Sequence, residues 1–263
     1  MKSIKFLAYI LALLLISACS DDEDPAIHNT NGFEGKKINT IQRVTATSRE
    51  NEVFVYDGNL LSERNSERRS YSICPDSTTL NLSIKYNYSE NHLKFVTRKE
   101  DILSCQLVSI FEETQEVIIE NDKVKVIQEE NIIAEFRYDK EGRLVFVDNG
   151  EFEILYEYDA SGNIITEIWS NEKSPDLEKR SDFKYDDQTN PFQVIPPVLP
   201  SEVVRSINKN NIVEETISLA DGTILKEKYQ YEYDGDYPIK VTLVESGQSL
   251  PNDTTEIKIE YLE

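Results

Sequence analysis

The feature that most constrains this chain is a unit that recurs from one end to the other: an aromatic strand, a tight turn and an apolar strand. Its fullest copy is Tyr156-Glu157-Tyr158-Asp159-Ala160-Ser161-Gly162-Asn163-Ile164-Ile165. Ahead of the turn, Phe152, Ile154, Tyr156 and Tyr158 alternate with Glu151, Glu153, Leu155 and Glu157. That is the period of a strand with one buried and one wet face. Asp159 suits the first position of a type I turn, where its carboxylate accepts a backbone N–H, and Gly162 suits the left-handed position that follows. The stretch predicts a β-hairpin.

The same unit returns at Phe54 to Leu61, at Tyr86 to Leu93 with Asn91 in the glycine place, and at Phe136 to Leu144. Altered turns follow Phe183-Lys184-Tyr185-Asp186 and Tyr231-Glu232-Tyr233-Asp234. Degenerate hairpins fill the longer gaps, turning at Asn121-Asp122 and at Asp221-Gly222. Pro196-Pro197-Val198-Leu199-Pro200 cannot be a central strand, because proline donates nothing to the ladder. Ser201 can cap a helical turn over 201–206, and this crossing is expected to close one end of the sheet. The fold expected is all-β: an antiparallel meander of about sixteen short strands rolled into a soluble barrel or strongly curved sheet. A membrane barrel needs an apolar outer band and spans of about nine to eleven residues. Short strands and a charge-dense polar face argue against one.

The N-terminus reads as an export signal: Lys2 and Lys5, then unbroken apolar sequence from Phe6 to Ile16, then Ser17-Ala18-Cys19. Eleven helical residues reach only about 17 Å, too short to span a bilayer. Residues 1–18 are thus a signal peptide, and 19–37, with the run Ser20-Asp21-Asp22-Glu23-Asp24, an acidic tether that no core could bury. Residues 38–263 form one β domain. Without the signal, 26 basic residues face 49 acidic ones, a formal balance of −23. Such a surface repels phosphate backbones, so nucleic acid is not an expected partner.

The Ile-Ser-Ala-Cys ending closely resembles the lipobox of bacterial lipoproteins, which implies acylation of Cys19 and attachment to the outer membrane through lipid. The acidic residues behind it resemble the export signal of Bacteroidetes surface lipoproteins, which implies display on the cell surface rather than retention in the periplasm. The Tyr-x-Tyr-Asp-x-x-Gly units resemble the YD repeats of Rhs-type proteins. The whole set, with Asn190-Pro191-Phe192 and Tyr237-Pro238, resembles a family of uncharacterised Bacteroidetes lipoproteins whose domain is described as porin-like. That family brings no established activity.

Cys74 and Cys105 are an even pair in an exported chain, open to a disulfide or to two separate buried thiols. The only histidines, His28 and His92, lie in the tether and in a turn, so no triad and no zinc site is expected, and no cofactor. The sole tryptophan, Trp169, counts out to the face opposite Ile164 and Ile168, partly exposed, where an indole contacts a ligand or covers a loop. Asp76-Ser77-Thr78 and Asp253-Thr254-Thr255 resemble O-glycosylation acceptors, at Ser77 and Thr254, in turn-like sequence. The function expected is a displayed, non-enzymatic binding or assembly module for a glycan or a surface protein. A carboxylate-driven glycan hydrolase needs two acids lining one deep pocket, and a purely structural envelope protein needs no pocket at all.

Overall fold

The computed structural model describes residues 35–70, 80–89, 92–103, 106–120, 123–197, 200–247 and 250–262. Sixteen antiparallel strands pair in chain order, and the first pairs with the last to close a barrel. They are β1 Ile38–Val44, β2 Ser48–Asp57, β3 Leu60–Ser70, β4 Leu80–Ser89, β5 His92–Leu103, β6 Gln106–Glu120, β7 Lys123–Gln128 and β8 Asn131–Tyr138. Then come β9 Leu144–Asp148, β10 Glu153–Tyr158, β11 Ile164–Ser170, β12 Lys179–Thr189, β13 Asn210–Leu219, β14 Ile224–Asp234, β15 Tyr237–Gly247 and β16 Leu250–Tyr261. Closure runs through Ile41 opposite Ile259 and Arg43 opposite Ile257.

The alternating residues turn inward. Phe54, Leu93, Phe95, Phe136, Ile154 and Ile164 are among the buried core side chains, whereas Lys226, Lys228 and Glu232 stand out into solvent. The outer wall is laced with Arg–acid pairs two residues apart on one strand, such as Arg98–Glu100 at 2.8 Å and Arg180–Asp182 at 2.7 Å. This charge, and not strand length, argues for a wall facing water: β5 has 12 residues and β6 has 15, long enough for a span. The strands outrun the expected short pieces because ladder pairing continues past the alternating apolar stretch into polar sequence such as Glu112, Glu113 and Thr114. Among the described residues no helix is long and apolar enough to cross a membrane.

The turns carry the chemistry the repeat requires. Asp159 Oδ1 accepts the N–H of Ser161 and of Asn163, each at 2.9 Å, and Gly162 takes φ of +90°. Asp139 does the same for Glu141 and Arg143. The tyrosines do more than fill the core, because five of the phenols donate to a carbonyl near the start of the preceding strand. Tyr158 reaches Leu144 O at 2.7 Å, Tyr231 reaches Ile212 O at 2.6 Å and Tyr261 reaches Pro238 O at 2.8 Å. Tyr56 and Tyr185 reach Ile38 O and Ile164 O in the same way. Tyr158→Phe is expected to cost about 1 kcal/mol, since it keeps the packing and deletes one hydrogen bond; equilibrium urea unfolding measures it.

The proline-rich crossing carries a 3₁₀ turn at Pro191–Val194 and a helix, α1, at Pro200–Ile207. Val194, Ile195 and Val203 are buried in the core. Asn190 and Asn208 hold the insert: Asn190 Nδ2 donates to Arg205 O and Asn208 O, and Asn208 Oδ1 accepts the N–H of Ile164 at 2.6 Å.

Candidate functional site

Two polar regions lie on the inward face, where the strand period calls for apolar residues. One is an ion network between α1 and the first strands. Glu52 bonds Arg64 at 3.0 Å and also Arg43, and Arg64 passes on to Glu202 of α1 at 2.9 Å. Arg205 lies within 4.0 Å of Glu202. Burial raises the Glu52 pKa, but Arg43, Arg205 and Arg64 outweigh it and hold the carboxyl near 2. Arg205 is pushed down to about 10 by burial and by the neighbouring Arg43.

The other region is a chamber of about 500 Å³ beside the insert, within the size range of small-molecule sites. Strands β11 to β13 give it a polar wall of Glu167, Trp169, Lys179 and Glu215. Facing these, Val241, Leu243 and Ile257 of β15 and β16, with Val204 of α1, make an apolar wall. Tyr229 and Tyr231 of β14 stand between, and Arg205 stacks on Phe192 at 3.9 Å along the insert.

Trp169 faces this chamber because of a bulge. Tyr158 pairs with Ile164 but Glu157 with Thr166, so Ile165 is an extra residue and the inward phase passes from Ile164 to Glu167 and Trp169. A strict count along β11 cannot see that shift, and it put Trp169 on the wrong face relative to Ile164. The indole packs edge-on against Phe152, with centroids 5.4 Å apart, and Lys179 Nζ sits 4.5 Å over its ring. The same ammonium lies 3.6 Å from Glu167.

Several groups here are unsatisfied. The buried Trp169 Nε1, Tyr156 hydroxyl and Ser181 Oγ make no hydrogen bond. Ser181, fully buried on β12, lies beside Glu215 without completing one. Burial pushes Glu215 up to about 7, helped by the negative charge of Glu227 and Glu167 and opposed by Ser181 and Lys179. Burial also raises Glu167, against Lys179. Glu227 is occupied by the Tyr229 hydroxyl at 2.5 Å. A raised carboxyl pKa stabilises the fold below the unfolded value of about 4.5, and that contribution is lost as pH rises through the folded value. Glu215→Gln is therefore expected to raise the melting temperature at about pH 8 and to leave it unchanged at about pH 4. Thermal melts at the two pH values measure the difference.

Of the residues singled out from sequence, only Trp169 reaches this chamber. Cys19, Cys74, Cys105 and Ser77 lie outside the described residues. Thr254 is exposed within β16, opposite Val244 of β15, not in a turn, because the final hairpin extends through Leu250. Glu167, Lys179 and Glu215 were not singled out. Their signal was a charged residue in apolar phase, as Glu227 is with Tyr229, Tyr231 and Tyr233. Among the described residues no group of three His, Cys, Asp or Glu side chains could hold a metal ion.

No family model and no curated protein matches this chain. Among solved structures, a porin-like protein from Bacteroides uniformis ATCC 8492 aligns with a TM-score of 0.48 at 9% identity, over 87% of this chain and 98% of that one. A porin-like protein from Bacteroides vulgatus ATCC 8482 aligns with a TM-score of 0.47 at 8% identity, over 87% and 99%.

Proposed function

We propose that this protein is a lipid-anchored barrel of the outer membrane, displayed at the cell surface, that binds a small ligand in its lumen. The observation that carries the binding role is the chamber, with its divided walls and the unpaired indole N–H of Trp169. A purely structural barrel gains nothing from leaving buried donors unpaired, since each costs about 1 to 3 kcal/mol. A small ligand fits this geometry better than a protein partner, because the polar groups converge inside the barrel. Trp169 is the only tryptophan, so its emission reports on the chamber alone. A small-molecule screen on folded protein should give ligands that shift this emission, and Leu243→Phe, which crowds the apolar wall without adding a second indole, should weaken the binding. A blank screen overturns the reading; turnover of a glycan that Glu215→Gln abolishes would replace binding with hydrolysis.

Anchoring rests on the Ile16-Ser17-Ala18-Cys19 sequence. Two or three acyl chains hold a protein on a bilayer where one does not. Cys19→Ser is expected to abolish labelling by a palmitate analogue and to move the protein from the membrane fraction to the soluble one. A bridge between Cys74 and Cys105 is part of the proposal, because an exported chain with an even pair of remaining cysteines permits one. Intact mass, with and without reduction and alkylation, tests that bridge and any sugar on Ser77 or Thr254.

A further inference from the structure

The two walls of the chamber differ in what they ask of an occupant. Val241, Leu243 and Ile257 offer only apolar surface. Opposite them, Glu167 and Glu215 offer buried carboxyl oxygens. Glu167 has one cation, Lys179, which is shared with the Trp169 ring. An ionised carboxylate accepts hydrogen bonds and donates none. The chamber's other two cations, Arg43 and Arg205, are engaged at the insert by Glu50, Glu52 and Glu202, so an anionic head brought to the Glu167–Glu215 end would lie beside two acids and lose its hydration, and burying an uncompensated charge is costly.

We propose that the chamber takes an amphipathic small molecule whose polar head donates hydrogen bonds to Glu167 and Glu215 while its apolar body lies on Val241, Leu243 and Ile257. The inference rests on the lumenal binding role and adds the chemistry of the ligand. An ammonium or hydroxyl head meets the requirement, and a fatty-acid-like carboxylate does not. The head should also sense ionisation. Glu215 faces Lys179, Ser181 and Tyr185 on β12, Glu167 on β11, and Glu227 and Tyr229 on β14. Its carboxyl titrates near neutrality in that company. An ammonium head therefore binds more tightly as pH rises from about 6 to about 8, and a hydroxyl head does not.

The test uses three probes with one chain length, octylamine, octanol and octanoate, titrated against the emission of Trp169 in the full chain. Octylamine and octanol should bind at least about tenfold more tightly than octanoate, a difference of about 1.4 kcal/mol. The pH dependence for octylamine should vanish in Glu215→Gln, with Glu167→Gln as the second variant should that protein fold poorly. Octanoate binding as tightly as octylamine, with Leu243→Phe weakening both, would overturn the donor-head proposal and leave the lumenal role standing. Emission that none of the three probes moves would overturn the head chemistry and the lumenal role together.

Discussion

Glu52→Leu is expected to cost the barrel about 3 to 5 kcal/mol, read as a fall in the urea midpoint with an unchanged slope. Glu52 is 1% exposed and pairs with both Arg43 and Arg64, and Arg64 carries the link to Glu202 in α1. Removing it leaves three arginines, Arg43, Arg64 and Arg205, to share Glu50 and Glu202. Arg205 is already strained by its burial and by the like charge of Arg43, which together push its pKa down to about 10. Most of the penalty is thus the burial of unpaired cations rather than the loss of a strong bond. The double variant Glu52→Leu with Arg205→Leu, which restores the balance, is expected to recover most of the loss. The same group sets acid sensitivity. A depressed carboxyl pKa gives stability that is present above about pH 4.5 and lost as pH falls toward 2. The wild type should lose stability through that window more steeply than the double variant.

What could be read in the sequence and what could not divides along a physical line. Local chemistry was legible. Asp159 and Gly162 declare their turn, and Phe152, Ile154, Tyr156 and Tyr158 declare their face, because both follow from backbone sterics and a period of two. Long-range pairing was not. Nothing in Ile41 or Ile259 says that they meet across the closing seam. The bulge at Ile165 was equally hidden, although one extra residue reverses the face of everything after it, Trp169 included. The insert was recognised as a break in the meander by its prolines. That it meets the first strands depends on Glu202 finding Arg64, a contact between residues 138 positions apart. The chamber was hidden for the same reason, since Glu167, Lys179 and Glu215 come from three strands that only the register brings together.

Which side of the wall faces water decides the second large effect. Phe136 is buried on the inward face of β8, and Leu155 on β10 stands 45% exposed on the outer one. In a barrel whose core is its lumen, Phe136→Ala leaves a cavity and is expected to cost about 3 to 5 kcal/mol. Leu155→Lys, by contrast, adds one more cation to a surface that already carries Arg137 and Arg180 in the same outward row, and should change stability by no more than about 0.5 kcal/mol. A lipid-facing wall predicts a different pair of numbers: about 2 to 4 kcal/mol for lysine at mid-depth, and detergent required to hold even the wild type in solution. Urea unfolding of both variants in buffer without detergent separates the two cases. A large cost at Leu155 would mean that the outer face meets lipid, and the acylation proposed at Cys19 would then add to a span rather than serve as the sole anchor. A small cost there with a large one at Phe136 leaves the apolar tyrosine-bearing face as the core and the charged face as the one that meets water.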